Sequence, residues 1–174
     1  MRKIYIVLTY TGTILSKVVK IYTRKEFSHV SISLDKELTK MYSFGRLNPY
    51  NPFWAGFVHE APRKGTFKRF KNTTSKIYSL EVTDEQYKKI EKIINDFDKN
   101  KKLYRFNMIG LVAVIAHQKV ERNKKFYCAE FVKYVFEQSN LKIALPEIIK
   151  PDDFEQIEGL DIVYKGLINE YNIG

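Results

Sequence analysis

The chain holds one cysteine, Cys128, and three histidines, His29, His59 and His117, so any thiol chemistry runs through a single sulfur. Cys128 stands in Phe126-Tyr127-Cys128-Ala129-Glu130-Phe131-Val132. The pattern places it at or just before the start of a helix, where unpaired amides and the positive end of the dipole stabilise a thiolate. The competing reading is a small buried hydrophobe, and a neighbouring base is what separates the two. His29 opens Ser28 to Leu34, on the same side as Ser31 and Ser33 and opposite Val30, Ile32 and Leu34. A histidine on a polar strand face marks a site or simply faces water. His59 precedes Glu60 near a strand end, and His117 closes an apolar helix beside Gln118; neither has a partner visible in the sequence.

The elements that must position these residues follow from periodicity. Lys3 to Thr9 has the length and apolar run of a central strand, and Gly12 to Tyr22 reads as an amphipathic helix capped by Thr11 or Thr13. Ser28–Leu34 and Leu38–Phe44, joined by Asp35-Lys36-Glu37, predict a β-hairpin. Gly45 to Gly56 is rich in Asn and Pro and reads as a loop, a candidate lid in which Phe53 and Trp54, with Arg46, could line a substrate groove. Phe57–Glu60, Thr66–Lys71 and Lys76–Val82 read as further strands. Thr83-Asp84-Glu85-Gln86 is a capping box ahead of a helical stripe of Tyr87, Ile90, Ile93, Ile94 and Phe97. Asn107 to Gln118 is apolar nearly all round, as a buried helix would be, and Tyr127–Gln138 is a third helix. A short helix over Asp152–Ile157, a strand over Leu160–Tyr164 and a tail over Gly166–Tyr171 close the chain. Strands flanked by helices give an α+β class in one domain, residues 1–174.

Ser28-His29-Val30-Ser31-Ile32 on an early strand and Tyr127-Cys128-Ala129-Glu130 on a late helix resemble the circularly permuted papain-like, NlpC-type cysteine hydrolases. That superfamily includes YiiX-type proteins and the lecithin:retinol acyltransferase group. In the permuted members the histidine strand precedes the cysteine helix, as here. Pro151-Asp152-Asp153-Phe154 and the following Ile162 to Gly166 are similar to the end of bacterial members. The resemblance implies a central antiparallel sheet or half-barrel packed against helices, with the cysteine at the N-terminus of a core helix. It also implies that Cys128 attacks an acyl carbon while His29 serves as general base, giving an acyl-enzyme resolved by water or by another nucleophile. A third, polar residue orients the imidazole: Ser43, on the strand after the histidine strand, matches by placement, and Glu60, on the next strand, is the alternative. Oxyanion stabilisation would come from the Cys128 amide and one more donor, for which Tyr10 is the candidate.

Composition narrows the partners. The 174 residues are 44% hydrophobic and 14% aromatic, which supports a packed core and excludes a disordered chain. A net charge of +10 favours anionic partners, so a catalytically inactive module holding nucleic acid or a lipid surface stands as the second reading. No recognised nucleic-acid motif supports that reading, and the basic clusters Lys17–Lys25, Arg63–Lys71, Lys99–Arg105 and Lys119–Lys125 are dispersed like solvated faces. Neither a metal ligand set nor a phosphate-binding glycine motif is present, so no cofactor is expected. The expected substrate is an amide or ester of peptide, cell-wall or lipid origin. With no signal peptide and no apolar stretch of membrane-spanning length, a cytoplasmic location is expected.

Overall fold

The computed structural model describes residues 1–107 and 124–172, apart from the side chains of Leu15, Tyr22, Pro52 and Phe53. The helix expected over Asn107–Gln118 lies, from residue 108 on, outside the described residues, and His117 with it. Strand β1 (Arg2–Tyr10) is the centre of the architecture. Ile4, Ile6 and Leu8 enter one apolar cluster while Tyr5 and Val7 enter another, so this strand is covered on both faces. That double burial is why its middle, Ile4 to Leu8, is apolar or aromatic at every position. It pairs antiparallel with β2 (His29–Ser33) on one side and β5 (Thr74–Val82) on the other.

With β3 (Met41–Asn48), β4 (Asn51–Glu60) and β8 (Leu160–Leu167) the sheet has six strands in the order β4-β3-β2-β1-β5-β8, every pair antiparallel. The molecule is therefore α+β. On the first face lie α3 (Asp84–Lys99) and α4 (Cys128–Gln138); Thr83 caps α3 by accepting the Gln86 amide at 3.1 Å while Gln86 accepts the Thr83 amide at 2.9 Å. Phe131, Val132 and Val135 of α4 pack with Val30 and Ile32 of β2, and Phe97 of α3 meets Phe131 with ring centroids 5.2 Å apart. The second face is covered by α2 (Gly65–Arg69), through Phe67, and by the 3-10 helix Ile168–Glu170, through Ile168. Two short parallel strands, β6 (Arg105–Phe106) and β7 (Lys125–Phe126), lead into α4.

Two expectations are corrected here. Gly45–Gly56 is not a loop or lid: β3 and β4 run through it as a hairpin turning at Pro49-Tyr50. Pro52 is tolerated because β4 is the outer strand of the sheet and owes no ladder bond on its free side. Thr66–Lys71 is not a strand but α2 with its flank, because Gly65 takes a left-handed φ of +49° and turns the chain from extended Lys64 into a helical turn. Helix α1 (Ile14–Thr23) starts with Thr13 as its cap; Ile14 and Ile21 face solvent, and among its described side chains Val19 is the buried aliphatic one.

Asp152, buried at the start of the 3-10 helix Pro151–Gln156, accepts the backbone amides of Glu26 (3.0 Å) and Phe27 (3.2 Å), which ties the approach to β2 to the far end of the chain. Both amides lose their acceptor in Asp152→Ala, which should cost about 1–3 kcal/mol by urea unfolding, whereas Asp152→Asn retains one acceptor oxygen and should lose less.

Candidate active site

His29 is the first residue of β2 and Cys128 the first residue of α4, so each side chain stands at the end of its element. Both line one small cavity of about 90 Å³. The position of Cys128 is set from two sides. Tyr127 buries its ring and donates its hydroxyl to the Ile149 carbonyl at 3.0 Å, and the Glu130 carboxylate accepts the Tyr127 amide at 3.0 Å. Asn107, fully buried, donates its side-chain amide to Glu130 at 3.2 Å and its backbone N–H to the Phe126 carbonyl at 2.8 Å. The start of α4 is thus fastened to the strand pair that precedes it.

The Nε2 atom of His29 lies 3.1 and 3.2 Å from the two Glu60 carboxylate oxygens. Ser31 donates its hydroxyl to Glu60 Oε2 at 2.6 Å. The Cys128 side chain lines the same cavity as the ring and acts to raise its pKa. Geometry explains how a carboxylate two strands away reaches the ring. His29, Ser31, Ser43, Gly45 and Glu60 share one face of the sheet, because Glu60 pairs with Met41 and alternation carries the same side through Ser43 and Gly45. Strand β3 is kept low at those two positions, and the Glu60 side chain lies across it. A Cβ on Gly45 would sit 3.3 Å from His29 Cε1 and 3.6 Å from Glu60 Oε1.

Electrostatics follow from this packing. Burial lowers the His29 pKa, but the Glu60 charge and the hydrogen bonds to Cys128 and Glu60 outweigh it and raise the ring to about 10. Burial raises the Glu60 carboxyl, and the His29 charge, with hydrogen bonds from His29 and Ser31, outweighs that and holds it below the ordinary value of 4.5. The two shifts are one interaction seen from each partner, and at neutral pH the pair is imidazolium and carboxylate.

The other expected site residues go elsewhere. Ser43 does not orient the imidazole: it is fully buried and donates its hydroxyl to the Val30 carbonyl at 2.7 Å, a bond that ties β3 to β2. Tyr10 is not among the residues lining the cavity; its ring packs on the core edge beneath Lys20 Nζ, 4.4 Å from the centroid. Arg46 lines the cavity, whereas Trp54 is exposed and lines a separate cleft with Leu47 and Tyr104. The side chain of Phe53 lies outside the described ones. His59 stacks on Tyr42 and donates to the Thr39 carbonyl. Sequence reasoning gives Ser31 and Gly45 no role; the signal for both is register, a serine two residues along from the histidine and a glycine facing it across the ladder. Among the described residues no group of three or more His, Cys, Asp or Glu could hold a metal ion, and no helix is long and apolar enough to cross a membrane. No family model matches the chain, and no curated protein is similar to it.

Two outcomes follow. In an NMR titration the His29 Cε1–H resonance should move with a midpoint near pH 10, and Glu60→Gln should bring that midpoint down, because the charge that raises it is gone. The pair should also appear in stability measured against His29→Gln by urea unfolding. The histidine contribution is full below about pH 6.5 and is lost as pH rises through about 10, while the carboxylate contribution is present above pH 4.5 and is lost as pH falls further.

Proposed function

We propose that the protein is a cysteine-dependent hydrolase of the permuted papain-like class. In this reading it cleaves an amide or ester bond through an acyl-enzyme on Cys128. The observation that carries the reading is His29, its Nε2 bonded to the Glu60 carboxylate, in one cavity with the Cys128 side chain. A structural histidine needs neither a carboxylate behind it nor a thiol beside it; a group that must hold and return a proton needs both.

Each residue then has a step. His29 enters the step as imidazolium, holding the proton that the Cys128 sulfur has given up, and the sulfur attacks the carbonyl carbon of the substrate. The negative charge that develops on the carbonyl oxygen faces the start of α4, where the Cys128 amide is one of the backbone donors that no preceding helical carbonyl accepts from. The imidazolium next protonates the leaving amine or alkoxide as the tetrahedral intermediate collapses to a thioester. Water, deprotonated by the ring now neutral, then releases the acid and leaves the sulfur and the protonated ring as they began. Glu60 holds the ring in place and stabilises its charged form throughout, and Ser31 fixes Glu60. Glu60 is in this scheme a positioning residue.

Alkylation by iodoacetamide needs no substrate and tests the pairing directly. Cys128 should react readily at pH 7, and His29→Ala should slow the reaction on the order of tenfold or more, with Glu60→Gln slowing it less. A thiol that is inert, or that reacts equally fast without His29, would overturn the proposal.

A further inference from the structure

Arg46, on β3, shares the cavity with Cys128 and His29. It is half-buried, and its Nη2 donates to Thr13 Oγ1 at 2.9 Å, so the guanidinium is fixed by the residue that caps α1. Thr13 lines the same cavity, and the first turn of α1 behind it carries no acidic side chain. A second cation stands beside it: the Cζ atoms of Arg46 and Arg69 lie 5.6 and 5.4 Å from the centroid of the same Phe70 ring. Among the described residues neither arginine has a carboxylate within ion-pair distance. Glu60, which lines the cavity too, is committed to His29 and Ser31.

Two like charges brought to one ring with no internal counterion repel each other, and a half-buried guanidinium with most of its donors unspent is costly to hold. The arrangement becomes favourable when an anion sits between the arginines and the nucleophile. We propose that Arg46 recognises a carboxylate on the substrate, close to the bond that Cys128 attacks, and thereby selects acidic amides or esters over neutral ones. A guanidinium suits a carboxylate in particular, because its planar fork matches the two oxygens. The inference rests on the thiol chemistry proposed above and adds the substrate class.

Iodoacetate and iodoacetamide test it, because they have nearly the same size and reactive carbon and differ in the carboxylate. With each, the Cys128 sulfur forms a bond to carbon as the carbon–iodine bond breaks, and iodide leaves with the electron pair. The readout is the ratio of the two rates, which cancels changes in the thiol itself. Arg46→Gln should lower the iodoacetate-to-iodoacetamide ratio by about threefold or more, and Arg46→Lys, which keeps the charge, should retain most of it. Lys89→Gln, on α3 and paired with Glu85, removes one positive charge from an element that does not line the cavity and should leave the ratio as it is. An unchanged ratio in Arg46→Gln, with iodoacetamide still reacting through His29, overturns this inference and leaves the hydrolase reading standing. An equal fall in Lys89→Gln assigns the preference to bulk charge and also overturns it. A thiol inert to both reagents removes both proposals together.

Discussion

A partly buried ion pair laid across an intervening strand is the constraint around which the site is organised. Glu60 reaches His29 over β3, so β3 must present small side chains where the carboxylate passes, and it does so with Ser43 and Gly45. The pair must also be fully satisfied, because desolvating two charges costs more than their attraction returns unless further hydrogen bonds complete them. Ser31 supplies such a bond to Glu60, and Cys128 shares the cavity that the ring lines. Such a pair adds little net stability compared with a well-packed apolar alternative. What it gives is a ring with one orientation and a charge that persists across the neutral range.

The remaining architecture brings the sulfur to that ring. Aromatic packing of Phe44, Phe57, Phe97 and Phe131 fixes α4 against β3 and β4, and the Asn107–Glu130–Tyr127 bonds fix the start of that helix. From the opposite end of the sequence, Asp152 grips the backbone at Glu26 and Phe27, two residues ahead of His29. Three segments distant along the chain are thus clamped independently, and the relative placement of thiol and imidazole does not depend on one flexible connection.

Legibility in the sequence follows the range of the interaction that decides each feature. The capping box of α3 and the alternation of β1 and β2 are local patterns, and the structure has those elements where the patterns lie. The β3–β4 hairpin is hidden because its Asn and Pro residues read as loop, and an outer strand accepts them for reasons of sheet order that lie outside the segment. Helix α2 is hidden because one glycine torsion overrides the strand pattern of Thr66–Lys71. The choice between Ser43 and Glu60 is of the same kind. Both lie on the correct face, and what separates them is side-chain length across one strand, a quantity that exists once register is fixed. Arg46 is visible as a charge near the site, but its lack of a counterion is a property of the folded surroundings.

The order of the site residues along the chain bears on its biosynthesis. Arg46, His29 and Glu60 leave the ribosome well before Cys128, and Asp152 follows later still. Synthesis from the N-terminus therefore produces His29 and Glu60 first, before β5 and β8 complete the sheet. The thiol meets its partner when α4 docks on β2, and the docked state is secured when the Pro151–Gln156 turn seals the approach to His29. A chain that stops short of α4 therefore holds His29 and Glu60 without the sulfur, and the two halves of the site meet only once the later segments have folded onto the earlier ones.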